Sequence, residues 1–112
     1  MAGRALSGYR AMWLLVMFDL PVGSPVTRRA YTQFRTTLLR SGFSMLQFSV
    51  YGRYCVSEEQ AAAYRSLVRR ALPAEGQVRV LAVTDRQFGK MEVFYGKQRK
   101  RPEKRPRQLV LF

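Results

Sequence analysis

The chain has no histidine and a single cysteine, Cys55. Without an imidazole, no side chain titrates near neutrality in its ordinary state, which removes histidine-based nuclease and hydrolase chemistry. A lone cysteine excludes an intrachain disulfide and a cysteine zinc site, so Cys55 is expected to be a small buried apolar residue. Acids are scarce as well. Asp19 and Asp85 are the only aspartates, and with five glutamates they face twenty Lys and Arg, for a net charge of +13. The isoelectric point is near 11.1. So large an excess repels itself unless a polyanion neutralises it, and nucleic acid is the usual one. An anionic membrane is the competing partner, but no basic amphipathic helix carries a bulky aromatic face to lie in a bilayer.

Long hydrophobic runs are also missing. The main one, Met12–Phe18, has seven residues, far too few to span a bilayer. Arg4 and Arg10 precede it in the manner of a signal peptide, but it ends in Phe-Asp-Leu-Pro with no small-residue cleavage site. The expected location is therefore cytoplasmic. At 112 residues the chain is most simply one domain with a real core.

Met12–Phe18 reads as a strand, roughly over 11–18, that is apolar on both sides and must be covered on both. Residues 1–10 form a loose leader before it. Asp19 stands where the run stops, as either a turn residue or a functional group on a rigid base. Ser24-Pro25 is a helix start. Val26, Ala30, Phe34 and Leu38, with Tyr31, then form an inner stripe, opposed by Arg28, Arg29, Arg35 and Arg40. Ser41-Gly42 ends that helix. Phe43–Val56 contains two strands that turn near Gln47, the second alternating Phe48, Val50, Tyr54 and Val56 with Ser49, Tyr51, Arg53 and Cys55.

Ser57 opens a second helix with capping-box spacing to Gln60. Its inner residues are Ala61, Tyr64, Val68, Ala71 and Leu72, its outer ones Arg65, Arg69 and Arg70, and Pro73 stops it. Gln77–Thr84 is a valine-rich strand. Thr84–Gln87 repeats the capping spacing ahead of a short third helix carrying Phe88, Met91 and Phe94 and ending at Gly96. A strand over Val93-Phe94-Tyr95 is the alternative there. Residues 97–107 form a basic linker expected to be disordered when free. Leu109–Phe112, within a last segment 108–112, is a short strand that needs a sheet edge.

The order β-α-β-β-α-β makes the chain α+β, with a ferredoxin-like antiparallel sheet, an extra short helix and a C-terminal edge strand. Helices cover one face of that sheet. Because the first strand is apolar on both sides, a second copy covering the other face, as a homodimer, is the simplest complement. The last strand can reach the partner's sheet edge across the basic linker.

Three stretches carry a resemblance to a known family: Met12–Pro21, the helix segment Arg28–Arg35, and above all Leu39-Arg-Ser-Gly-Phe-Ser-Met-Leu-Gln-Phe-Ser-Val-Tyr-Gly-Arg53. Together they resemble the CRISPR-associated Cas-two family. Val83-Thr-Asp-Arg-Gln-Phe88 and Gln108–Phe112 look like its type II branch. The likeness runs over about residues 9–112. It implies a ferredoxin-like homodimer that works in spacer acquisition, lying between two dimers of the integrase Cas-one and spanning the middle of a short double-stranded DNA. The integrase cuts and joins, and the Cas-two dimer measures and holds. In type II systems the effector nuclease and a ring-shaped accessory protein can also take part. Some members are known as metal-dependent nucleases on RNA or DNA that use the acid ending the first strand, which is Asp19 here.

A two-metal phosphodiesterase needs several clustered oxygens, and no other acid adjoins Asp19 in sequence. Glu58 and Glu59 suit a helix start, as does Asp85 after a Thr84 cap. Two Asp19 carboxylates across a dimer axis would hold one Mg²⁺ with waters completing the octahedron. The plainer alternative has Asp19 ordering the turn before Pro21. Arg28 and Arg29 sit in the first turn of a helix, where the dipole disfavours cations unless a phosphate arrives. The resemblance places duplex contacts around that helix start. Arg28 and Arg29 are thus the first candidates for DNA binding, followed by Arg35 and Arg40, with Arg65, Arg69 and Arg70 weaker. Lys97, Arg99, Lys100 and Arg101 in the tail are further candidates. The expected mode is sequence-independent neutralisation of phosphates. The alternatives are a metal-dependent endonuclease through Asp19 and a free-standing RNA-binding protein.

Overall fold

A computed structural model describes residues 10–106. The expected leader at 1–10 therefore falls almost wholly, and the strand at Leu109–Phe112 wholly, outside the described residues. The first element is β1, Met12–Asp19. Helix α1, Pro25–Arg40, follows, then β2, Ser44–Gln47, and β3, Val50–Cys55. Next come α2, Glu58–Arg70, and β4, Gln77–Thr84. A short α3, Asp85–Gly89, precedes a hairpin of β5, Val93–Tyr95, and β6, Gln98–Lys100. The main sheet runs β2-β3-β1-β4 with β1 antiparallel to both neighbours. This is the ferredoxin-like order, with the apolar β1 at the centre.

Local chemistry sets the helix ends. Ser24 Oγ accepts from Thr27 N at 3.1 Å and Thr27 Oγ1 accepts from Ser24 N at 3.0 Å, a reciprocal cap, with Pro25 in the first turn. Thr84 and Gln87 close the same box around α3. At α2, Ser57 Oγ accepts from Gln60 N at 3.0 Å, but the Gln60 amide accepts from Val56 N instead of completing the box on Ser57.

Alternation along β1 divides the core. Leu14, Val16 and Phe18 point to the helices, where they pack with Phe34 and Leu38 of α1 and Ala61 and Val68 of α2. Tyr51 and Cys55 of β3 join them. Trp13 and Leu15 point the other way and pack with Tyr54 and Phe88. Phe88 of α3 stacks on Trp13 at 4.0 Å between ring centroids, nearly parallel, so α3 covers one end of that second face. Over the rest of it Leu81 is 49% exposed, and Met17, Val50 and Leu46 are half-buried. A lone chain thus leaves the part of this face around Met17, Asp19 and Leu81 open.

Several expectations change. The change of direction falls at Phe48-Ser49, where Ser49 takes a φ of 64°, after a bulge between Met45 and Gln47. It leaves Phe48 79% exposed in the single chain. Val26 and Leu72, expected on inner helix faces, are exposed because they lie at helix ends beyond the edge of the sheet core. The third helix stops at Gly89 instead of reaching Gly96, since Val93-Phe94-Tyr95 favours the strand alternative. Gly96, at φ 65°, supplies the turn that folds Gln98–Lys100 back onto it. The first part of the basic stretch expected to be disordered is therefore paired.

Candidate nucleic-acid interface

The topology sorts the cations by the two ends of the sheet. Since β1 runs antiparallel to β3 and β4, the end of β1, the start of α1, the end of α2 and the start of β4 all lie at one end. A pocket of about 50 Å³ confirms the closeness: Leu20, Pro21, Val26, Thr27, Ala30 and Tyr31 line it opposite Pro73 and Ala74. Arg28 and Arg29 in the first turn of α1 are thereby brought to the same end as Arg69 and Arg70 in the last turn of α2. The first turn of α1 holds no acid. Arg28 donates to Val22 O at 3.3 Å, and Arg29 is exposed.

Arg40 belongs to the opposite end, at the close of α1. Arg35 lies between and is committed in part, donating from Nε to the buried Tyr51 hydroxyl at 2.7 Å. In the hairpin, Lys97 is at the turn and Arg99 pairs with Glu92 at 3.6 Å. Lys100 lies 5.5 Å from the centre of the Tyr95 ring. Lys100 and Arg101 also line a cleft of about 860 Å³ between α3 and the following segment. Arg10–Glu58 at 3.7 Å is the only other ion pair among the described residues. Both pairs are exposed and weak, so most of the positive charge is without a partner within the described residues.

Asp19 is exposed at the end of β1, on the sheet face turned away from the helices. Among the described residues its carboxylate joins no ion pair. No group of three or more His, Cys, Asp or Glu able to hold a metal exists among them either. One chain supplies a single carboxylate, which does not fit a Mg²⁺ site without a second source of oxygens.

The family model described as CRISPR associated protein Cas2 matches residues 12–91. The chain belongs to the Cas2 family. It is similar to the CRISPR-associated endoribonuclease Cas2 of Flavobacterium psychrophilum, 46% identical over 96% of this chain and 93% of the relative. The protein of the same name from Parvibaculum lavamentivorans is 46% identical over 90% and 100%. That of Paracidovorax avenae is 47% identical over 96% and 99%. The expectation of a CRISPR-associated protein thus holds for this Cas2 chain. No helix among its described residues is long and apolar enough to cross a membrane.

Three contacts of this Cas2 chain escaped sequence reasoning. Asp85 does more than supply an acid to the first turn of α3: it accepts from the indole of Trp13 at 2.8 Å. The signal was available, because a buried Trp N–H requires an acceptor. Gln77 stands directly opposite Asp19 across the β1–β4 pair, and Arg79 is one step further along opposite Met17. Alternation through Gln77-Val-Arg-Val-Leu81 places Gln77 and Arg79 on one face, but only the register puts them beside Asp19.

Proposed function

We propose that this Cas2 chain acts in CRISPR spacer acquisition as a homodimeric scaffold. In this role the dimer holds double-stranded protospacer DNA between dimers of the integrase Cas-one and does not itself catalyse integration. The observation that carries this function is the grouping of Arg28 and Arg29 with Arg69 and Arg70 at one end of the helical layer, four guanidinium groups against the single Glu75 that lines the pocket between the helix ends. Guanidinium groups on rigid helices suit phosphate oxygens, and contacts to phosphate carry no sequence information. The partly open apolar sheet face around Met17, Val50 and Leu81 supports the dimer. Lys97, Lys100 and Arg101 extend the cationic surface along the hairpin. A cytoplasmic site of action accords with this role.

The test is titration of the purified chain with a short duplex over a range of salt. Binding should weaken steeply with salt, because each neutralised phosphate releases counterions. Arg28→Ala/Arg29→Ala should bind duplex more weakly while keeping its oligomeric state. Unchanged binding by that variant would move the interface elsewhere, and no salt dependence would end the phosphate mechanism. Co-purification with the integrase separates the scaffold from a free-standing RNA-binding protein.

A second function has specific support. The similar proteins named above are called endoribonucleases, and the Asp19 carboxylate is exposed and joins no ion pair among the described residues. In a dimer that brought two Asp19 together, they would hold one Mg²⁺ able to polarise a phosphodiester. Asp19→Ala would then abolish Mg²⁺-dependent cleavage of RNA or DNA. Spacer acquisition that persists in Asp19→Ala, with no cleavage by the wild type, favours the scaffold.

A further inference from the structure

The uncovered sheet face is electrically unlike the rest of the molecule. The chain carries +13, so two copies repel wherever their cations meet. On the face turned away from the helices, however, the residues in register across β3, β1 and β4 include one acid, Asp19, and one base, Arg79. Their charges cancel. Around them stand Met17, Val50 and Leu81, beside the already buried Leu15. A second copy of this chain brings the same apolar, neutral surface, which makes the face self-complementary under a twofold axis.

Asp19 and Arg79 are diagonal neighbours. Asp19 opposes Gln77, and Arg79 opposes Met17 two residues along the same pair of strands. Diagonal positions on one face are roughly 7–8 Å apart at the backbone, within reach of an arginine side chain. Both residues are exposed in the single chain and form no ion pair there. That is the expected state in water, where holding two charges together gains little. Covering the face changes the balance, because a charge taken out of water must be matched.

We infer that Arg79, not a metal ion, is the counter-charge of Asp19, and that the pair closes when a second copy covers the sheet face. The inference rests on the homodimer proposed above. Gln77, opposite Asp19, offers an amide donor for a remaining carboxylate lone pair. The acid at the end of β1 is then a latch residue of the subunit interface. Arg79 is an interface residue and not part of the DNA-binding arginine group.

The test is a double-mutant cycle on the full chain, with dimer dissociation followed by analytical ultracentrifugation in EDTA and in Mg²⁺. The wild type, Asp19→Ala, Arg79→Ala and the double variant are compared. Each single substitution should weaken the dimer by roughly tenfold or more, and the double should be no weaker than the worse single one. Magnesium should leave all four unchanged. The charge swap D19R/R79D restores association if pairing, rather than damage to folding, explains the single losses. Additive losses, no recovery in the swap, or a wild-type dimer tightened by Mg²⁺ through Asp19 would each overturn the latch. A wild type that is monomeric at all concentrations removes the dimer and the latch together, whereas a dimer with additive effects removes the latch alone.

Discussion

Trp13 and Asp85 lie 72 residues apart in the chain and are joined by a hydrogen bond of 2.8 Å from the indole Nε1 to the carboxylate Oδ1. A second link, Asp85 N to Ala11 O at 2.9 Å, runs beside it. With Phe88 stacked on the Trp13 ring, these contacts tie α3 to the start of β1 and fix how much of the sheet face is covered.

Removing the acceptor should therefore loosen α3 and leave a buried donor unmatched. Asp85→Ala is expected to cost about 1–3 kcal/mol, measured by urea unfolding, with a change in Trp13 fluorescence. Asp85→Asn keeps an acceptor oxygen and should lose less. Equal losses in the two variants would show that the bond to the indole is not what holds α3.

Tyr51 gives a second separation. Its buried hydroxyl accepts from Arg35, and its ring stacks on Phe18 at 5.5 Å. Tyr51→Phe keeps the ring and should cost about 0.5–1.5 kcal/mol in a denaturation experiment. Duplex affinity should fall less in Arg35→Ala than in Arg28→Ala/Arg29→Ala, since Arg35 already has a protein partner. An equal fall would place Arg35 in the DNA contact.

Gly76 packs against the backbone that carries Asp19. It takes a φ of +99°, and an added Cβ would meet Leu20 Cδ2 at 2.6 Å and the Asp19 carbonyl oxygen at 2.9 Å. Gly76→Ala should destabilise the fold by about 1–3 kcal/mol and disturb the Asp19 end of β1. A thermal melt of the variant that overlays the wild type would contradict the close approach.

Burial pushes the Cys55 thiol above its ordinary range, opposed only in part by the nearby Arg53 charge and its hydrogen bonding. The thiol is favoured in the native state, so its contribution to stability is complete below the unfolded-state pKa. That contribution is lost as pH rises through the higher folded-state value. Stability should therefore decline on the alkaline side and not near neutrality. Thiol-reactive reagents should modify Cys55 slowly in the native protein and rapidly in denaturant. Fast native labelling would mean that the β3 end opens.

Helix starts at Ser24, Ser57 and Thr84 were legible from the sequence because a cap is formed by residues three apart. The same holds for the central strand, whose apolar run implies cover on both sides, and for the ferredoxin-like order. Where two local preferences competed, as over Val93–Tyr95, only the pairing partner at Gln98–Lys100 decided. Position on a helical wheel did not tell that Val26 and Leu72 overhang the sheet.

For the site, the sequence by itself determined the charge excess, the shortage of metal ligands, the arginines at the start of α1 and the isolation of Asp19 along the chain. Those properties depend on composition and on neighbours within a turn or two. The tertiary structure decided that Arg69 and Arg70 share an end with Arg28 and Arg29, that Arg35 is tied to Tyr51, and that Arg79 stands diagonal to Asp19. Each of these follows from strand register and helix direction, which are set by contacts between distant segments. A slip of one residue between β1 and β4 would turn Arg79 to the helix side and leave Asp19 with no counter-charge on its face.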